Sequence, residues 1–235
     1  MAIRINGKYS IGILLTFTLL AAAMLYVFPV IYMMTGIKNI TTFTFSLSRI
    51  ALWTILLILL LYSKLVEKGP FLLKKENKFA LSFSIKSIIS LYLICVVGGA
   101  LINAALQFIT QEKMSDKLFE LTSIFRNNYF LIIFTCFTAG AVEEFLMRGY
   151  IQPRIENIYN SPISGVLVSA ILFGILHSTY GTIGQVAIPF FIGLVFALFY
   201  KKYSNIKILI ICHFMIDFVS LMIMNSLDIK HLSVF

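Results

Sequence analysis

The sequence predicts an all-α membrane protein, a bundle of about seven transmembrane helices with the N-terminus inside. Of its 235 residues, 60% are hydrophobic and 12% are charged, with a mean hydropathy of +0.95. Soluble domains are less apolar and contain about twice that share of charged residues. Apolar runs of about 20 residues, the length that crosses a bilayer core of about 30 Å, follow one another along the chain. Little sequence remains for a soluble domain, so we expect a single integral membrane domain.

The apolar runs place the predicted spans in order along the chain. They cover approximately residues 11–34, 46–62, 82–109, 129–156, 163 to beyond 177, 183–200 and 206–224. Pro29 predicts a kink in the outer part of the first span, and Gly149 with Pro153 predicts one in the fourth. The polar connection 110–128 is interpreted as a short amphipathic surface helix that turns Phe119, Leu121 and Phe125 toward lipid.

The distribution of basic residues predicts the orientation. With the N-terminus inside, thirteen of the 19 Lys and Arg residues lie toward the cytoplasm and six toward the outside. This bias is the one that the positive-inside rule requires. The most basic connection, 64–78, carries five lysines. Because such loops contact anionic headgroups, the net charge of +9 indicates a lipid bilayer as partner and no nucleic acid.

The cysteines and the other composition signals give no metal or disulfide framework. Cys95, Cys136 and Cys212 are widely spaced and all lie inside apolar runs, which is typical of packing roles. We therefore expect a multi-pass protein of the cell membrane. The Lys- and Ile-rich composition favours a bacterial plasma membrane.

The apolar run of the fourth span is followed by a cluster of charged residues. A membrane helix can form without such charges. Glu143, Glu144 and Arg148 follow directly on an apolar run, where each charge costs on the order of 3 kcal/mol. Glu144 and Arg148 are four residues apart and can pair on one helix face. Glu143 points about 100° away from Glu144. The cluster is a functional-site candidate, and the alternative is a structural ion pair that locks two helices together.

Two further spans carry polar residues at similar depth. His177 follows Phe173 in the fifth span, and His213 shares a face with Asp217 in the seventh. A turn near 157–162 leaves about a dozen residues, or about 18 Å, between the turn and either Glu143 or His177. Both would then lie near the middle of the membrane. We therefore expect the carboxylate of Glu143 and the rings of both histidines to converge.

The chemistry that such a set supports is hydrolysis. A carboxylate and an imidazole can activate a water molecule, and a second imidazole can stabilise an oxyanion. Glu143, His177 and His213 are also competent ligands for Zn²⁺. The HExxH motif of common zinc proteases is absent. A metal-bound water and a metal-free, glutamate-activated water both stay open.

The three motifs, in this order on successive spans, closely resemble the CPBP family of type II CAAX prenyl proteases, Abi-type proteins and bacteriocin-processing enzymes. The family pattern is EExxxR, then FxxxH, then HxxxN or HxxxD. The resemblance divides the chain into N-terminal spans with a surface segment (1–128) and a catalytic helical core (129–227). It implies an intramembrane endopeptidase whose site opens toward the cytoplasm.

The resemblance also implies a role for each motif residue. Glu143 and His177 would activate the water, while His213 and Asp217 would support the oxyanion. The supporting residues would be Glu144, Arg148 and Phe173. The prenyl proteases usually have Asn where this chain has Asp217. An ionised aspartate repels an oxyanion, so Asp217 is either protonated, or orients His213, or binds a metal ion.

The expected substrate is a membrane-associated peptide or protein. A leader, signalling or bacteriocin peptide is the leading candidate, and a CAAX-like protein is another. The alternative function is a non-catalytic membrane protein for bacteriocin immunity or partner binding. A proton-coupled transporter that uses the acids and histidines as a relay is a third hypothesis. The absence of inverted repeats in the sequence counts against the transporter.

Overall fold

The computed structural model of the chain describes residues 5–111 and 123–226. Within these ranges the chain is helical and contains no strand, which confirms the predicted all-α membrane bundle. Its seven helices of 14 residues or more are α1 (Ile5–Thr35), α2 (Thr42–Glu67), α3 (Leu81–Thr110), α4 (Tyr129–Tyr159), α5 (Pro162–Ile175), α6 (Gly184–Tyr203) and α7 (Ile206–Ser226). Most of the surface helix predicted for 110–128, with Phe119 and Leu121, lies outside the described residues. The prediction that Phe125 faces lipid is wrong, because its side chain is buried and packs edge-on against the ring of Phe45 at 5.3 Å.

Six of these helices are long and apolar enough to cross a membrane, and α5 is not. Its 14 residues reach about 21 Å, less than a hydrocarbon core of about 30 Å. The prediction that the fifth span continues beyond His177 is therefore wrong. The helix stops at Ile175 because His177 caps it, with Nδ1 2.8 Å from the carbonyl oxygen of Phe173. A 3₁₀ turn (Ser178–Tyr180) follows.

The helices alternate in direction, which gives the bundle two ends. We call the end that holds the connections 68–80, 160–161 and 204–205 the inner end, and the end that holds 36–41 and 176–183 the outer end. The inner end carries the basic connection that the sequence analysis placed in the cytoplasm.

Helix α4 departs from α-helical geometry over its central part. Two π-helical segments, Ala139–Glu143 and Phe145–Ile151, interrupt it before Pro153 in the first turn of the last segment. Proline has no N–H to donate, so one backbone hydrogen bond is missing directly after the second π segment. The kink predicted at Gly149 and Pro153 stays a prediction. Such π-bulges are frequent at functional sites. The indole Nε1 of Trp53 in α2 donates to Thr138 Oγ1 at 3.0 Å, immediately before the first π segment.

A buried ionic cluster joins α1, α2 and α4 at the inner end. Arg154 is completely buried and its guanidinium binds both carboxylate oxygens of Glu67. The hydroxyl of Tyr150 donates to Glu67 Oε1 at 2.7 Å, and the ring of Tyr150 lies 3.5 Å from the guanidinium carbon. Gly12 in α1 leaves the space that the Tyr150 hydroxyl occupies. We refer to Glu67, Tyr150 and Arg154 as the inner cluster.

The basic connection 68–80 packs against the inner end of the bundle. Asn77 donates its backbone N–H to Ser204 O at 3.0 Å, and Lys74 pairs with Glu156 at 2.7 Å. Glu76 Oε2 accepts from the N–H of Ile206 at 2.8 Å and so caps α7. Burial raises the pKa of the Glu76 carboxyl, whereas the hydrogen bond from Ile206 lowers it. The connection thus holds the start of α7 in place.

Replacing Glu67 with Ala should destabilise the protein strongly, because the substitution leaves the buried Arg154 guanidinium without its carboxylate. Removing one partner of a buried ion pair costs about 3–5 kcal/mol. The matched control is Glu156→Gln, whose partner Lys74 is partly exposed, and it should cost less than about 1 kcal/mol. Thermal unfolding in detergent measures both variants. Equal melting temperatures for the two would contradict a structural role for the inner cluster.

Candidate active site

The carboxylate of Glu144 is the meeting point of the first and third motifs. Its Oε1 accepts from Arg148 Nη1 at 2.9 Å and lies 2.9 Å from His213 Nδ1. Glu144 and Arg148 are completely buried, and His213 is nearly so. The predicted Glu144–Arg148 pair is therefore confirmed. The bond from His213 adds a contact between α4 and α7.

Arg148 extends the same network to α5 and α6. Its Nη2 donates to the carbonyl oxygen of Gly193 in α6 at 3.1 Å. The guanidinium also lies 4.6 Å from the ring centre of Phe173 and 5.6 Å from that of Phe196. Such cation–π contacts gain strength when the cation is desolvated. Phe173 of the second motif is thus a structural partner of Arg148.

Glu143 faces away from this pair, as the helix geometry predicts. Its side chain keeps 22% of its accessible surface, and its Oε2 lies 4.0 Å from His213 Nε2. Asp217 Oδ2 lies 3.6 Å from the same nitrogen. Because Glu144 occupies Nδ1 of His213, the ring presents Nε2 to the two other carboxylates. The predicted convergence of Glu143 and His213 is confirmed.

His177 reaches the same place from the end of α5. A carbonyl oxygen only accepts, so the contact with Phe173 O assigns the proton to Nδ1 of His177. The remaining ring nitrogen, Nε2, is then the basic one in the neutral form. Asp217 interacts electrostatically with His177 as well as with His213 and Glu143. All four predicted catalytic residues therefore lie in one neighbourhood.

Glu143 and His177 line one cavity of about 310 Å³ between α1, α2, α4 and α5. Its wall is largely apolar, which suits ligand sites in general. The polar contributors besides these two residues are Ser48, Arg49 and Thr179. Arg49, one of the six basic residues that the sequence analysis placed toward the outside, stacks on Phe45 and donates to Ser48 Oγ. Its position inside the predicted span 46–62 was the signal that could have marked it as a site candidate.

The residues that the structure describes do not form a ligand set of the kind that the metal-bound alternative needs. No three His, Cys, Asp or Glu side chains there are placed to hold one ion together. Tetrahedral Zn²⁺ sites need ligand atoms about 2.0–2.3 Å from the metal. We therefore derive no step through a metal ion. Whether Glu143, His177 and His213 bind one stays a prediction.

Gly140 sets the distance between α4 and α7 at the site, and sequence reasoning also missed it. A Cβ on Gly140 would lie 2.9 Å from Ile210 O and 3.1 Å from Phe214 N, which are backbone atoms that cannot move aside. Only glycine lets the two backbones approach this closely, as small residues do in membrane helix packing. The approach brings Glu144 within reach of His213.

Comparison with known protein families finds a similarity over the part of the chain that forms this site. The model of the family described as type II CAAX prenyl endopeptidase Rce1-like matches residues 125–219. This segment contains α4 to α6, most of α7 and every residue of the three motifs. The resemblance to the CPBP family is therefore confirmed over this part of the chain. The match supports a CAAX-type endopeptidase in a multi-pass membrane protein.

The other two comparisons add no relative. Neither the curated proteins nor the solved structures contain a match to the chain. The family match and the geometry of the site are therefore the observations from which function is argued.

Replacing Gly140 with Ala should push α4 and α7 apart. Overpacking of this kind lowers the free energy of unfolding by about 1–3 kcal/mol. Activity should fall because Glu143 and Glu144 on α4 move away from His213 on α7. The matched control is Gly99→Ala in α3, where the new Cβ would meet Ile188 Cγ2 at 3.4 Å, an ordinary contact. Thermal unfolding in detergent and peptidase assays measure both. A Gly140→Ala protein with wild-type stability and activity would contradict the argument.

Replacing Glu144 with Ala should lower both folded yield and activity. The substitution removes the acceptor for Arg148 and His213 together, at a cost of about 3–5 kcal/mol. Glu144→Gln keeps a hydrogen-bond acceptor of the same size and should recover part of the yield. Size-exclusion chromatography and thermal unfolding report the fold separately from turnover. Normal yield and melting behaviour for Glu144→Ala would show that the pair has no structural role.

Proposed function

We propose that this protein is an intramembrane endopeptidase that hydrolyses a peptide bond of a membrane-associated peptide or protein with a Glu/His-activated water. One observation carries the proposal. The carboxylate of Glu143 lies at the wall of a membrane-embedded cavity, 4.0 Å from one imidazole and beside another that lines the same cavity. Carboxylate and imidazole groups in such positions act as general bases and acids.

In this proposal Glu143 and His177 activate the water. Nε2 of neutral His177 and the carboxylate of Glu143 both accept hydrogen bonds, so a water between them is polarised toward a substrate carbonyl. The water oxygen attacks the carbonyl carbon and its proton passes to Glu143. The C–N bond then breaks, and the departing amine takes the proton from Glu143, which restores the starting carboxylate.

His213 stabilises the negative charge that develops on the carbonyl oxygen. Glu144 holds Nδ1 of His213, and Arg148 holds Glu144, so the direction of the ring is fixed before the reaction begins. Protonated His213 donates from Nε2 to the oxyanion. Such preorganised donors supply a large share of catalysis in acyl transfer.

Asp217 orients His213 in this proposal. Its Oδ2 is 3.6 Å from His213 Nε2 and therefore biases that nitrogen toward the protonated, donating form. With this role, an Asp is compatible with the position at which the prenyl proteases usually have Asn. It gives the aspartate no direct contact with the oxyanion, which a negative charge would repel.

The substrate proposal is a leader, signalling or bacteriocin peptide, and a CAAX-like protein is the second candidate. The largely apolar wall of the cavity supports a substrate that is itself apolar near the scissile bond. The alternative, a non-catalytic immunity or partner-binding protein of a bacterial plasma membrane, would use a surface and not this cavity. Glu143 and His177 at the cavity wall, with His213 and Asp217 beside them, favour the enzyme.

The substitution Glu143→Gln separates the enzyme from the binder. It keeps the size and hydrogen-bonding capacity of the side chain but removes the base, so turnover should fall by about 10²–10⁴-fold while the fold is retained. Glu156→Gln, the same change on the same helix but away from the cavity, is the matched control. Purified variants in detergent are incubated with membrane-proximal peptides, and mass spectrometry detects the products. Full activity of Glu143→Gln would refute the proposed mechanism.

A further inference from the structure

Asp217 adds a third carboxylate to the surroundings of His213. Oε1 of Glu144 lies 2.9 Å from one ring nitrogen of the histidine. Oε2 of Glu143 and Oδ2 of Asp217 lie 4.0 Å and 3.6 Å from the other. Because an uncompensated charge inside a membrane bundle is costly, three carboxylates around one imidazole require cations to offset them.

The two cationic groups of the mechanism are already bound to Glu144. Arg148 is completely buried and binds Glu144 through Nη1 and the carbonyl oxygen of Gly193 through Nη2. The ring of His213 binds Glu144 through Nδ1, and its other nitrogen faces the two remaining carboxylates. One guanidinium and one imidazolium do not balance three negative charges. The site therefore requires a further cation.

Arg49 of α2 supplies this cation. It lines the cavity together with Glu143 and His177, and no other lysine or arginine among the described residues lines that cavity. Asp217 interacts electrostatically with Arg49. Because the wall of the cavity is largely apolar, charges there are screened less than charges at an exposed surface.

The position of Arg49 is linked by packing to the segment of α7 that carries Asp217. The guanidinium carbon of Arg49 lies 4.6 Å from the ring centre of Phe45. Phe45 belongs to an apolar cluster against which Phe214 and Phe218 of α7 also pack. Asp217 lies between these two phenylalanines in the sequence. The ring that holds Arg49 and the segment that holds Asp217 thus share one cluster.

We infer that Arg49 is a positioning residue of the active site, which offsets the negative charge of Asp217. The inference rests on the proposed protease function, in which Asp217 orients His213 toward the oxyanion. Without a cation nearby, the charge of Asp217 would repel both the carboxylate of Glu143 and the developing oxyanion. Arg49 reduces that repulsion while Asp217 keeps its contact with His213. It acts through Asp217 and requires no contact with the substrate.

A double-mutant cycle between Arg49 and Asp217 tests the inference. Arg49→Gln, Asp217→Asn and the double variant are purified in detergent, and mass spectrometry measures their turnover of membrane-proximal peptides. Arg49→Gln should lower turnover by about tenfold, a coupling common among charges of one network. The double variant should be more active than Arg49→Gln alone, because Asp217→Asn removes the charge that had lost its partner.

Two controls separate the charge of Arg49 from its shape and from a general loss of cations. Arg49→Lys keeps the positive charge and should therefore retain more activity than Arg49→Gln. Lys86→Gln removes an exposed cation of α3. Its effect should be the same in the wild-type chain and in the Asp217→Asn protein.

Thermal unfolding of the same variants measures the coupling without any need for catalysis. Arg49→Gln should lower the melting temperature more in the wild-type chain than in the Asp217→Asn protein. If Arg49→Gln alone gives little folded protein, the double variant should recover the yield, and a double variant that does not would overturn the inference.

An equal loss from Arg49→Gln in both backgrounds, or no loss in either, would also overturn the inference. Turnover decides this, and melting temperature decides it if no variant cleaves a peptide. Arg49 would then act independently of Asp217, as a residue that binds substrate or only packs would do. Failure of the protease proposal is a different observation, cleavage that survives Glu143→Gln or no cleavage at all, so the two failures are distinguishable.

Discussion

The carboxylate of Glu144 is the constraint on which the rest of the site depends. It lies in the interior of a membrane bundle with no exposure to solvent, where an uncompensated charge would be prohibitive. Arg148 and His213 compensate it from two sides, and Arg148 in turn binds a carbonyl of α6. Three helices are therefore held in register by one acid. Its neighbour Glu143, about 100° further around the helix, is the acid that faces the cavity.

Much of this arrangement could be predicted from the sequence because the bilayer simplifies the problem. Apolar runs long enough to cross a membrane define α1 to α4, α6 and α7, and i, i+4 spacing predicted the Glu144–Arg148 pair. The end of α5 could not be predicted from hydropathy, since a ring-to-carbonyl bond of His177 decides it. The π-helical segment Ala139–Glu143 could not be predicted either, since no local pattern in the sequence distinguishes it from the α-helix around it.

The partners of buried charges at the inner end were missed for a related reason. Arg154 and Glu67 are 87 positions apart, and nothing in either neighbourhood specifies the other. From the sequence alone, Arg154 is one of several basic residues on the cytoplasmic side, and Glu67 is an acidic residue in a basic connection. Only the packing of α2 against α4 turns them into a cluster. Long-range ionic pairs are thus the part of a membrane fold that local patterns describe least well.

Trp53 has a consequence of a different kind, because it is the only tryptophan of the chain. Its indole is stacked against Phe137 at 5.8 Å and bonded to Thr138, one residue before α4 leaves α-helical geometry. Its neighbour Leu52 lines the cavity. The protein therefore has an intrinsic fluorophore at the contact between α2 and α4. Its fluorescence emission can report, without any attached dye, a change in the α2–α4 contact when a peptide binds beside Glu143.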